Sequence, residues 1–122
     1  IEIVSMETEV THPVLNYIGH FDLLGKIEEI DFLIDVKSGM EHPATGVQLS
    51  GYGLALDGDV IKSNYRRAGM YIRSGSWYLE HYRDDYDYDA FRACLMMNGK
   101  SPETRVAAAT TINNWKLKNN VK

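Results

Sequence analysis

Eight residues, Ile30 to Lys37, alternate so regularly that little other than a β-strand can hold them. Ile30, Phe32, Ile34 and Val36 fall on one side of an extended chain, and Asp31, Leu33, Asp35 and Lys37 on the other, because strand side chains alternate with a period of two. The run Tyr17 to Leu24 is also extended and aromatic-rich, and it places Ile18, His20, Asp22 and Leu24 on a common face. A hairpin whose loop centres on Glu28 and Glu29 sets Asp22 opposite Asp35, with Cβ atoms roughly 5 Å apart. Two carboxylates that close repel each other. Protonation, the Lys37 ammonium, or a bound divalent cation, which favours oxygen ligands of this kind, would relieve the repulsion.

The order Gly19-His20-Phe21-Asp22, then Asp35-Val36-Lys37-Ser38-Gly39, then Gln48-Leu49-Ser50-Gly51-Tyr52 resembles the PD-(D/E)XK nuclease superfamily, specifically its RecB-like, phage recombination exonuclease branch. That branch carries G-x-x-D, a strand ending in (D/E)-x-K-(S/T)-G, and a helix bearing Q-L-x-x-Y. A D-x-K triplet alone is weak; three elements in order are much stronger. The likeness continues through the Ser74-Gly75 turn, the acidic run Asp84 to Asp89 ahead of Phe91, and Asn114-Trp115-Lys116, and so spans nearly the whole chain.

The resemblance implies an α/β (α+β) fold, a restriction-endonuclease-like core with a mixed central β-sheet flanked by helices. It implies a Mg²⁺- or Mn²⁺-dependent deoxyribonuclease, exonuclease rather than endonuclease, working in phage or bacterial DNA recombination and repair. Asp22, Asp35 and the main-chain carbonyl of Val36 are then the metal ligands. Glu7, where related nucleases carry a Glu ahead of the G-x-x-D strand, would help hold a second ion, with Glu9 as fallback. Lys37 would orient or deprotonate the attacking water, and Gln48 and Tyr52 would border the site. The implied partners are DNA and a recombination or single-strand annealing protein. CRISPR adaptation nucleases of similar fold hold an iron–sulfur cluster through several cysteines; with Cys94 the single cysteine, no such cluster is expected. The branch also carries a helix before its first strand, and since this sequence opens on the strand-like Ile1-Glu2-Ile3-Val4, an upstream helical segment is expected beyond it. A different class, a noncatalytic nucleic-acid-binding or assembly module on the same fold, is opposed by the intact Asp22, Asp35 and Lys37.

The 122 residues suffice for one core and are too few for two ordinary domains, so 1–122 is expected to form a single nuclease core. No apolar run approaches the roughly 20 residues needed to cross a membrane, and no secretory signal pattern opens the chain. The reducing cytoplasm of a bacterium or phage-infected cell is the default compartment, with a processed organellar protein as the alternative. The net charge of −4 hides a division. Residues 1–61 hold 11 acidic and 2 basic residues, residues 62–122 hold 6 and 11, so the first half can gather cations. In the second, Lys62, Arg66, Arg67 and Arg73 are candidate phosphate contacts on the approach to the metal. On charge alone a solvated surface explains them as well.

Periodicity predicts strands near 1–10, 16–24 and 29–37, a helix over Ala44 to Asp57, strands near 68–73 and 76–83, and helices near 87–98 and 102–116. Ser101-Pro102 supplies an N-cap and a first-turn proline for the last helix, whose buried face is Ala108, Ile112 and Trp115. Phe91, Cys94 and Leu95 make a similar stripe on the preceding helix, which reads Cys94 as core rather than nucleophile.

Overall fold

The computed structural model describes residues 1–58, 60–97 and 101–121. The elements run β1 (Glu2–Thr11), β2 (Ile18–Ile27), β3 (Ile30–Lys37), α1 (Ala44–Asp57), β4 (Arg66–Arg73), β5 (Ser76–His81), α2 (Tyr86–Met96) and α3 (Pro102–Lys118). The order is the one expected from periodicity, and α1 has the expected bounds; the expected end of α2 at residue 98 lies outside the described residues. Length points to one core, whereas the contacts gather into two compact units, Ile1–Arg83 and Asp84–Lys122.

The first unit is a mixed five-stranded sheet in the order β1-β2-β3-β4-β5, the α/β class read from the sequence. All neighbours are antiparallel except β3 and β4, which run parallel. A parallel pair needs a crossover long enough to return the chain to the same end of the sheet, and α1 supplies it. Alternation along β3 feeds two clusters: Leu33 joins Phe21 of β2 and Leu49 of α1, while Ile34 joins Leu23, Phe32 and Ala68. Consecutive strand residues point oppositely, so the clusters lie on opposite faces of the sheet. Leu33 and Ile34 are wholly buried, and truncating either to Ala is expected to cost about 2–5 kcal/mol.

Three glycines weaken α1 as an isolated helix, and one of them, Gly53, lets it sit close to the connection that follows. A Cβ at Gly53 would fall 2.8 Å from the Ser63 side chain. Ser63 Oγ donates to Asp57 Oδ2 at 2.6 Å, tying the helix end to that connection, and Tyr17 donates its hydroxyl to the Gly51 carbonyl at 2.6 Å.

The second unit is the pair α2 and α3. Ser101 caps α3 by accepting from the Thr104 N–H, with Pro102 in the first turn, as the sequence predicts. Ala108 and Trp115 form its buried face. On α2 the buried positions are Asp87, Tyr88, Ala90 and Ala93, and Cys94 is exposed. This corrects the core assignment of Cys94: small alanines let the helices approach along the Ala90–Ala93 stripe, turning the next residue outward.

Candidate functional site

The site begins with the turn between β2 and β3. Glu28 and Glu29 adopt left-handed backbone, φ 51° and 67°, the two-residue turn whose twist matches the flanking strands. It pairs Ile27 with Ile30 and, four steps on, Leu23 with Ile34. The next step brings Asp22 to Asp35, as the alternation predicts. Asp22 Oδ2 accepts the Val36 N–H at 2.9 Å, so the carboxylate lies across the strand it faces. Asp35 is buried, at 6% exposure.

Burial pushes the Asp35 carboxyl above the ordinary carboxylate range; its hydrogen-bonding contact with Asp22 pushes the same way, and Lys37 opposes both. Lys37 Nζ stands 2.9 Å from Asp35 Oδ2. That oxygen is fully enclosed, and apart from this ion pair no hydrogen bond reaches it among the described residues. The Asp35 carboxylate in turn raises the Lys37 ammonium above its usual value, against a smaller opposing effect of burial.

Gly69 of β4 is the register partner of Asp35, and Tyr71 that of Lys37. A Cβ at Gly69 would lie 2.5 Å from the Tyr71 ring, which is wholly buried and hydrogen-bonded through its hydroxyl to Tyr82. The ring therefore occupies the space beside Asp35 that a side chain at position 69 would take. Sequence reasoning missed this pair, although Gly69 alternates with Tyr71 on the Asp35 side of β4.

Gln48 and Tyr52, one turn apart on α1, are joined by a 2.7 Å bond from Gln48 Nε2 to the Tyr52 hydroxyl. Burial raises the Tyr52 phenol, Gln48 lowers it, and the nearby Asp35 and Asp22 carboxylates raise it further. The phenol is therefore held protonated within the field of the acidic pair. Its ring lies on Gly19, where a Cβ would come within 2.6 Å of ring carbon Cε1. That contact gives a physical reason for a glycine three residues before Asp22: it seats the tyrosine.

The alternation of β2 does not run unbroken through Asp22. Phe21 packs with Leu49 on the α1 face and Leu23 on the other, although two residues apart they would ordinarily share a side. Their partners on β1 are Thr8 and Met6, and between these stands Glu7 at φ 46°. Both strands thus change face at one step. His20, expected on the Asp22 and Leu24 face, turns the other way and meets Glu9, with Nε2 3.4 Å from Oε2, both exposed. Glu7 is exposed, and among the described residues no three His, Cys, Asp or Glu side chains converge, so Glu7 does not complete a triad with Asp22 and Asp35.

The four basic candidates separate. Arg67 is buried, 5% exposed, and donates to the Gly46 carbonyl at 3.0 Å; it braces α1 and offers no phosphate contact, a correction to its sequence reading. Lys62 and Arg66 are exposed. Arg66 pairs with Phe32, five residues and roughly 16 Å along the strand from the Lys37 step, on the opposite face from Asp35. Arg73 alone is at the carboxylate end of β4, where it donates to the Gly39 carbonyl at 3.0 Å.

The donor set suits a divalent cation. Two carboxylates meet, one of them buried and joined to a lysine ammonium by an ion pair, and hard oxygen-binding cations satisfy such a carboxylate pair. A scan against protein-family models finds no match to this sequence, and a search of curated proteins finds none either.

Proposed function

We propose that the chain is a metal-dependent DNA nuclease of the PD-(D/E)XK kind, an exonuclease in preference to an endonuclease, hydrolysing phosphodiester bonds in phage or bacterial DNA recombination and repair. One observation carries this reading: the buried Asp35 carboxylate stands against both Asp22 and Lys37, with the ammonium 2.9 Å from Oδ2. The order of the three motifs supports it.

Asp22, Asp35 and the Val36 carbonyl would hold Mg²⁺ or Mn²⁺. When bound, the ion supplies Lewis-acid activation of water and charge neutralisation at the phosphate. Lys37, held charged by Asp35, acts as a donor that orients the attacking water and offsets charge building on the phosphate; a raised pKa makes it a poor base. Tyr52 accepts from Gln48 and keeps its own proton to donate toward substrate. No helix among the described residues is long and apolar enough to cross a membrane.

The test is degradation of end-labelled linear DNA and closed circular DNA with Mg²⁺, Mn²⁺ or EDTA. Metal-dependent shortening from ends, with circles spared, is the expected result. Nicking of circles would make the chain an endonuclease. Binding without any cleavage would leave a noncatalytic nucleic-acid module.

A further inference from the structure

We propose that Arg73 is a positioning residue for this site, strapping the connection between β3 and α1 to the β4–β5 hairpin, and that it is not a phosphate contact. The activity part of this inference rests on the nuclease reading above. Residues 38–43 form no strand or helix, yet the elements at either side of them carry the site: Lys37 ends β3, and α1, which begins at Ala44, carries Gln48 in its second turn and Tyr52 in its third. A loose connection would free both.

Two points hold it. Arg73 Nη1 donates to the Gly39 carbonyl at 3.0 Å, while Nη2 donates to the Tyr78 hydroxyl at 3.3 Å and the guanidinium lies 5.6 Å from the centre of the Tyr78 ring. Tyr78 donates in turn to Glu41 Oε1 at 2.5 Å. The Tyr78 ring stacks on that of Tyr71, with centres 5.5 Å apart, and Tyr71 is the register partner of Lys37. The strap thus runs from Gly39 and Glu41 through β5 and back to the strand beside Lys37. A planar guanidinium can donate in two directions and lie against a ring at once; a lysine ammonium carries the same charge without that fork. Gly39 contributes its carbonyl and not a missing side chain, since a Cβ there would meet nothing within 4 Å.

The charge-conserving variant separates the two roles. In Arg73→Lys and Tyr78→Phe, backbone order parameters of Gly39 to Glu41 should fall from about 0.85 toward 0.6 or below. Turnover should drop about 10- to 100-fold, as small misplacements of reacting groups do, with KM and the salt dependence of DNA binding unchanged. Full turnover in Arg73→Lys together with a flattened salt slope in Arg73→Ala would make Arg73 a phosphate contact and overturn the proposal. Loss of loop order with turnover intact would overturn it too. If the wild-type chain cleaves no DNA, the nuclease reading fails separately. The strap is then judged on the order parameters of Lys37 and of Gln48 to Tyr52: a fall in Arg73→Lys upholds it, and unchanged values refute it.

Discussion

Among the described residues each unit buries one aspartate, and the two are treated in opposite ways. Asp87, on α2, accepts the indole N–H of Trp115 at 2.8 Å, a directed bond between the two helices. Asp35, on β3, is nearly as enclosed, but it faces a second carboxylate, and beyond the Lys37 ion pair its Oδ2 gains no hydrogen bond among the described residues. Burying a polar group costs free energy unless a partner offsets it. Asp87 therefore behaves as a structural tie, and Asp35 as a standing cost of the kind that accompanies sites kept for chemistry.

Substitution should separate the two aspartates by the widest margin. Asp35→Asn and Lys37→Ala should each lower cleavage by about 10³-fold or more, since each removes an interaction worth several kcal/mol in the transition state. Melting of the metal-free protein should be unchanged or improved in Asp35→Asn, because the carboxylate repulsion is gone. Asp87→Ala should do the reverse, costing about 1–3 kcal/mol by leaving the Trp115 N–H without its acceptor. Denaturant unfolding beside a cleavage assay checks both; a destabilised Asp35→Asn would erase the distinction.

The same contrast has a pH signature. The folded-state pKa of Asp35 is raised by burial and by Asp22, so the folded chain keeps this proton to higher pH than the unfolded chain does. Unfolding free energy then decreases as pH climbs from the ordinary carboxylate value to the raised one, and no such loss applies below both. Metal-free wild type should therefore lose stability relative to Asp35→Asn across that window. Parallel curves for the two would show that Asp35 ionises freely.

A smaller effect is expected at the seat of Tyr52. Gly19→Ala forces its methyl against the ring and should cost about 1–3 kcal/mol, with cleavage reduced beyond what the stability loss explains. Tyr52→Ala should relieve the stability cost in the double variant, and additivity of the two changes would place the clash elsewhere. The least change comes at the turn. Replacing Glu28-Glu29 by Asn-Gly, residues suited to left-handed backbone, should stabilise by about 1 kcal/mol without altering cleavage.

Much of the fold was legible because its signals are local. The strict alternation of Ile30 to Lys37, the bounds of α1 and the Ser101 cap each follow from neighbouring residues, and the hairpin then brings Asp22 to Asp35 by arithmetic. The change of face at Glu7 and Asp22 was not legible, since neither Gly nor Asn marks the left-handed backbone at Glu7. Arg67 looked like surface because it is charged; its place with Gly69 and Tyr71 on one side of β4 was the available hint. Cys94 looked like core because apolar spacing favoured it, while the alanines that let α2 and α3 approach carry little hydrophobic signal.

The two tryptophans divide between the units in the same way as the aspartates. Trp115 is buried against Asp87, and Trp77 of β5 is 57% exposed, so the chain carries one shielded and one solvent-facing fluorophore without any label. Acrylamide should quench the second and spare the first. Loss of the helical pair should shift the shielded emission to the red, while loss of the sheet should change mainly the quenchable component. A single heating scan followed at both signals would therefore report whether the two units melt together or in turn.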